Sequence, residues 1–160
     1  MRYTDRVGFT DVDASTFMYG AFYYAMADRA FERWQRESGL SWKAVMDELA
    51  IGMPAIESRC RYVAPLRFDD EVVVAVGVGD LTPKGFTANF EITRADGVLA
   101  AYGYIRRRFM DMATSTGVAH APERLLEVMR RMERTSTARS FDVRETARLA
   151  ARGASQRPSA

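Results

Sequence analysis

The spacing of apolar and polar side chains changes period several times along the chain, and each change marks an element. From Arg2 to Phe9 the period is two, with Tyr3, Val7 and Phe9 on one face and Thr4 and Arg6 on the other, which predicts a strand, although Asp5 falls on the apolar side. A helix is predicted from Ala21 to Ser38, with Gly20 as its N-cap and Gly39 as its C-terminal stop. At ~1.5 Å per residue it is about 27 Å long. Its first half, AFYYAMA, is apolar or aromatic around the whole circumference, so it is expected to be buried on all sides by something that wraps around it. The second half, DRAFERWQRES, is amphipathic with Phe31 and Trp34 on one face. SWKAVMDEL predicts a second, short helix with Ser41 as N-cap and Trp42, Val45, Met46 and Leu49 as its apolar positions.

Strand patterns follow. AIESRCRYV alternates Ile56, Ser58, Cys60 and Tyr62 against Glu57, Arg59, Arg61 and Val63; EVVVAVGV is rich in β-branched residues; GFTANFEITR alternates Phe86, Ala88, Phe90 and Ile92; VLAAYGYIRRRFMD reads as one long final strand. Alternation on that last strand sends Arg107 to the face opposite Arg106 and Arg108. Turn chemistry separates these runs at APLRFDD, LTPKG and ADG, the last an Asp-Gly hairpin signal. The order of elements predicts an α+β fold, one curved antiparallel sheet around a long helix. An exposed sheet face or edge favours a homo-oligomer. Beyond Met112, ATSTGVAHAP reads as a loop and ERLLEVMRRMER as an amphipathic helix with Leu125, Leu126, Val128 and Met129 inward. RETARLAAR has little apolar surface to bury as a helix, and GASQRPSA reads as a disordered tail, giving a domain over residues 1–132 and a basic tail over 133–160.

Composition narrows the chemistry. A chain of 160 residues with 48% hydrophobic and 28% charged residues builds one globular core, and a formal charge of +2 spread along the chain makes no nucleic-acid stripe. An acidic small molecule remains a possible partner. The single Cys60 excludes an internal disulfide, and the single His120 excludes a His-rich or Cys/His metal site. With no apolar leader after Met1 and no run of the ~18 apolar residues that a bilayer requires, a cytoplasmic protein without membrane attachment is expected.

Asp11 and Asp13 stand two residues apart just ahead of the aromatic helix. On spacing alone, both make turn and cap hydrogen bonds between strand and helix. The run GFTDVDASTFMYGAFYYAMADRAFERW, followed by YVAPLRFDDEVVV, ADGVLAAYGYIRRRFMD and APERL, resembles the 4-hydroxybenzoyl-CoA thioesterase group of hotdog-fold acyl-CoA thioesterases over roughly Arg2 to Met132.

The resemblance implies a sheet wrapped around a long helix, assembled into dimers or tetramers with active sites at the dimer interface. It implies that Asp13 is the catalytic carboxylate, that the backbone N–H at Gly20 binds the thioester oxygen, that Lys84 contacts the phosphates of coenzyme A and that Asp28 occupies an acidic substrate-binding position. The basic run that relatives carry before Lys84 is reduced here to Thr82-Pro83. Tyr19, Tyr23 and Tyr24 are candidates to line an acyl pocket, with plain core as their alternative role.

Thioester hydrolysis needs a carboxylate as nucleophile or general base and donors for the developing oxyanion, and an aspartate before a helix N-terminus supplies both without metal or cofactor, coenzyme A being part of the substrate. Two other functions fit the same pocket: a non-catalytic binding module for acyl-CoA or acyl carrier protein, and an acyl-thioester hydratase or dehydratase. The absence of a histidine on the helix weighs against the last.

Overall fold

A computed structural model describes residues 1–138. RETARLAAR and GASQRPSA lie outside the described residues.

Strands β1 (Arg2–Arg6), β4 (Glu71–Thr82), β5 (Gly85–Arg94), β6 (Leu99–Arg108) and β3 (Ala55–Tyr62) form one antiparallel sheet in the order β1-β4-β5-β6-β3. Short strands β2 (Ile51–Gly52), β7 (Met110–Asp111) and β8 (Thr116–Gly117) form a second. Three helices complete the fold: α1 (Gly20–Glu37), α2 (Trp42–Leu49) and α3 (Glu123–Arg134). Antiparallel sheet and helices together are the mixed architecture expected of a hotdog fold.

Register explains which sheet face is inside. Pairing Val76 with Phe90 and Phe90 with Gly103, and Val74 with Ile92 and Ile92 with Ala101, puts the apolar members of three strands on one side. Helix α1 lies on that side, with Phe31 stacked on Phe86 at 5.4 Å and Tyr24 edge-on to Phe90 at 6.0 Å. Each large side chain fully buried there contributes about 1.5–3 kcal/mol. The Asp-Gly signal closes β5 to β6 through Gly97 at φ 88°, a left-handed value that glycine adopts without strain.

Several expectations need correction. Tyr19, not Gly20, is the N-cap of α1, and no side chain caps it; Ser38 closes the helix, followed by Gly39 at φ 97°. The first half of α1 is not buried all round in a single chain. Ala21 is exposed and Phe22, Tyr24 and Ala25 are half-buried, because the one sheet covers one side of the helix only. Met46 of α2 is 44% exposed, since only Val45 of that short helix is fully inside. The long final strand breaks at Phe109. That residue is buried and gives its N–H to the Lys84 carbonyl at 2.9 Å, and the chain then leaves β5 and pairs with β2. The expected loop after Met112 contains β8, which pairs with β7.

Helix α3 turns Leu125, Leu126, Val128 and Met129 inward as expected, and Met132 with them. It packs beside β4, whose second half β1 does not reach. There the Ser136 hydroxyl accepts from Val78 N–H at 2.7 Å and donates to Val78 O at 3.1 Å, closing part of that edge. The opposite edge strand, β3, pairs among the described residues with β6 alone and is exposed along nearly its whole length.

Candidate active site

Between β1 and α1 the chain makes two tight turns. The first is a 3-10 turn, Phe9–Asp11, in which Asp11 Oδ2 accepts from Gly8 N–H at 2.9 Å. The second closes on itself: Asp13 N–H bonds to Phe17 O, Thr16 N–H bonds to Asp13 O, and Thr16 takes the left-handed φ of 66° that so tight a reversal requires. Val12 bridges to Met18, and Tyr19 N–H reaches back to Asp11 O at 2.9 Å. Both aspartates are therefore held at the entrance of α1. Asp11 has the turn role that its spacing suggests.

Asp13 is exposed. Its Oδ1 accepts from the Ser15 hydroxyl and, at 2.7 Å, from Ser15 N–H. These bonds, the hydroxyl first, hold the carboxyl below the ordinary aspartate value and so keep it ionised. Burial opposes them by less, and the Phe17 backbone N–H lowers the carboxyl further.

Helix α1 begins without a capping side chain. Phe22 N–H bonds to Tyr19 O at 2.9 Å, whereas the N–H groups of Gly20 and Ala21 find no acceptor among the described residues. Two free donors and the positive end of the helix dipole favour negative charge at this point. Glycine at position 20 leaves room for a close approach. A Cβ there would lie 2.9 Å from Tyr62 Oη, which donates to Gly20 O at 3.2 Å.

Two side chains that sequence reasoning did not single out complete the surroundings. Tyr62, at the end of β3, packs edge-on against Tyr23 with ring centroids 4.9 Å apart. Arg67, in the loop after β3, lies with its guanidinium 4.5 Å over the Phe17 ring and Nη1 3.4 Å from Thr16 Oγ1. The signal for Arg67 was its place inside PLRFDD; for Tyr62 it was the alternation that puts it on one strand face with Ser58 and Cys60.

The tyrosines separate by burial. Tyr23 is core at 3% exposed, Tyr24 is half-buried, and Tyr19 is 56% exposed and edge-on to Phe22. Burial raises the phenol pKa of Tyr23 and of Tyr24, so both stay neutral donors.

Asp28 sits further along α1 in an ion pair, Oδ1 to Arg107 Nη2 at 2.6 Å. Arg107 is buried, bonds Met53 O at 2.8 Å and lies 4.8 Å over Trp42. Its face is opposite that of Arg106, as alternation requires; Arg106 pairs with Glu57.

Lys84 is not brought to Asp13 within one chain. It is exposed in the β4–β5 turn next to Phe86, whose partner Phe31 is about 16 Å along α1 from Gly20 at ~1.5 Å per residue. Among the described residues the His120 ring hydrogen-bonds its neighbour's carbonyl, Ala121 O at 2.9 Å, and it is far from α1 in sequence. Burial pushes the Cys60 thiol up to about 11, which removes it as a nucleophile near neutral pH. Among the described residues no three His, Cys, Asp or Glu side chains are grouped to hold a metal ion, and no helix is long and apolar enough to cross a membrane.

The family model of the thioesterase-like superfamily matches residues 7–131. Among solved structures, a Staphylococcus aureus protein in complex with CoA is 20% identical, with a TM-score of 0.77 over 89% of this chain and 89% of that one. A 1,4-dihydroxy-2-naphthoyl-CoA thioesterase from Synechocystis is 19% identical, with a TM-score of 0.73 over 80% of this chain and 93% of that one. A gentisyl-coenzyme A thioesterase is 25% identical, with a TM-score of 0.70 over 81% of this chain and 99% of that one.

Proposed function

The chain belongs to the thioesterase-like superfamily, and from that premise we propose that it hydrolyses an acyl-CoA or aryl-CoA thioester to the free acid and coenzyme A, in the manner of the 4-hydroxybenzoyl-CoA thioesterase group. The observation that carries the reading is the ionised, exposed carboxylate of Asp13 at the entrance of a helix whose first N–H groups have no acceptor among the described residues. Asp13 attacks the thioester carbonyl or takes a proton from the water that does. Negative charge then develops on the carbonyl oxygen, and the Gly20 N–H at the positive end of α1 is the donor for it. One such donor is typically worth about 3 kcal/mol in the transition state.

The remaining assignments follow from the same reading. Tyr19, Tyr23 and Tyr24 flank the acyl group, Asp28 offers its second oxygen to the substrate, and Lys84 meets the phosphates of coenzyme A. Because Lys84 and Asp13 are at different ends of α1, one site draws them from two copies of the chain. An apolar patch near Asp13 supports that assembly: Tyr19, Tyr62, Val63 and Phe68 are each more than half exposed, at 56%, 52%, 54% and 53%. The site of a homodimer or homotetramer is then closed by the partner copy.

Thiol release from benzoyl-, phenylacetyl-, short-chain and long-chain acyl-CoA tests the proposal. Release from at least one of them is expected. Saturable binding of an acyl-CoA with no thiol released would reassign the protein as a binding module, and hydration of a 2-enoyl-CoA would reassign it as a hydratase.

A further inference from the structure

The loop over residues 66–70, between β3 and β4, is bonded to both ends of the segment that carries Asp11 and Asp13. Ahead of that segment, Val7 N–H bonds to Asp70 O and Asp69 N–H to Val7 O, each at 3.0 Å. After it, Met18 N–H bonds to Leu66 O at 2.8 Å, and Phe17 bridges to Arg67. Val7, Met18 and Leu66 are buried, so these are anchored points. The loop keeps its own shape through Asp70, whose carboxylate accepts from Arg67 N–H at 2.8 Å. One loop therefore fixes where the aspartate turn begins and where it ends.

Inside the turn, the Arg67 side chain meets the two residues that hold Asp13. Asp13 N–H bonds to Phe17 O and Thr16 N–H to Asp13 O, both at 2.9 Å, and the Phe17 N–H also draws the Asp13 carboxyl down. The guanidinium covers both residues, 4.5 Å over the Phe17 ring and with Nη1 3.4 Å from Thr16 Oγ1. Thr16 needs support from outside the turn, because a β-branched residue at φ 66° occupies the left-handed region that its side chain disfavours. The Asp13 carboxyl is lowered by the Ser15 hydroxyl and by the N–H groups of Ser15 and Phe17, not by the charge of Arg67. Arg67 acts on it by contact, through its neighbours.

We infer that Arg67 is a positioning residue, which by holding Phe17 and Thr16 fixes the direction in which Asp13 presents its carboxylate at the entrance of α1. The consequence for rate rests on the thioesterase reading; the geometry does not. A planar guanidinium suits the place, since it lies over an aromatic ring and still directs an N–H sideways to a hydroxyl. Misplacing a reacting group by ~1 Å costs up to about 10²-fold in rate, so this contact is expected to show in kcat.

Arg67→Met keeps the stem of this exposed side chain and removes the guanidinium. In the full chain, amide hydrogen exchange followed by NMR at Asp13 and Thr16 is expected to be about two- to fivefold faster in the variant, with exchange in α3 unchanged. In thiol release, kcat is expected to fall about tenfold or more with KM within about twofold of wild type. Arg67→Lys keeps a cation over Phe17 without the planar fork and is expected to lie between the two. Phe17→Leu removes the ring from beneath the guanidinium. Combined with Arg67→Met it is expected to lower kcat by less than the product of the single effects.

Equal exchange in wild type and Arg67→Met, faster exchange with kcat unchanged, or a raised KM at unchanged kcat would each overturn the inference, the last by making Arg67 a substrate contact. Exchange accelerated equally in α3 would overturn it too, since the whole fold would then have loosened. If the wild type releases no thiol, the thioesterase reading fails, and the exchange comparison alone decides whether Arg67 holds the turn.

Discussion

Asp13 is fixed at the entrance of α1 by Ser15, whose N–H and hydroxyl both meet Oδ1. Removing Ser15's hydroxyl tests what that contact does for the carboxyl. The hydroxyl is the largest cause of the lowered Asp13 pKa, so in wild type the acid limb of kcat/KM is expected below the ordinary aspartate value of ~3.9, and in Ser15→Ala it is expected to move up towards it. A limb at the same pH in both proteins would dissociate Asp13 from the profile. Gly20 and Tyr62 form a second testable pair. Gly20→Ala brings a Cβ to within 2.9 Å of Tyr62 Oη, the movable tip of an exposed side chain, so a stability loss of about 1 kcal/mol or less is expected, smaller still in a Tyr62→Phe background. Chemical denaturation of the four proteins in the cycle measures it. Asp13 and Gly20 were legible because both lie in one continuous motif. Tyr62 and Arg67 were not, because the contacts that bring them to α1, Tyr62 to Gly20 and the Phe17 to Arg67 bridge, join distant parts of the chain.

At the scale of elements, local rules decided what could be read. Ser41 was legible as an N-cap, and its hydroxyl accepts from Ala44 N–H at 3.1 Å; Ser41→Ala is expected to cost about 1 kcal/mol in denaturant unfolding. Helix α3 was legible from its periodicity alone. Leu126→Ala empties a buried position against the core and is expected to cost about 2–5 kcal/mol, whereas Met46→Ala, on the exposed side of α2, is expected to change stability by less than about 0.5 kcal/mol. The break after β6 was not legible. Phe109 continues the apolar alternation, and only its bond to Lys84 O and the pairing of β7 with β2 divert the chain.

For the whole molecule, the antiparallel sheet and its helices followed from the order of patterns, but the all-round burial of α1 did not, because a single sheet has one inner face to offer. The apolar turn of α1 and the exposed edge β3 predict a species larger than one chain in analytical ultracentrifugation; a monomer at micromolar concentration would contradict the shared site. Stability has a pH window set by opposite shifts. The carboxyls of Asp13, Glu37, Asp96, Asp111 and Glu123 are lowered, chiefly by side-chain or backbone donors, so their contribution is present above the ordinary carboxyl values of ~4 and is lost as pH falls through the folded ones. Burial raises the phenol of Tyr62 to about 12, so its contribution is present below ~10 and lost as pH rises through the folded value. Thermal melting is expected to be flat between these limits and to fall at both ends. The most direct test of the account compares wild type with Asp13→Asn in thiol release from the best acyl-CoA substrate. Asparagine keeps the Oδ1 acceptor and the turn, so an unchanged melting temperature with kcat lower by about 10²–10⁴-fold is the predicted result. Undiminished turnover by Asp13→Asn would contradict it.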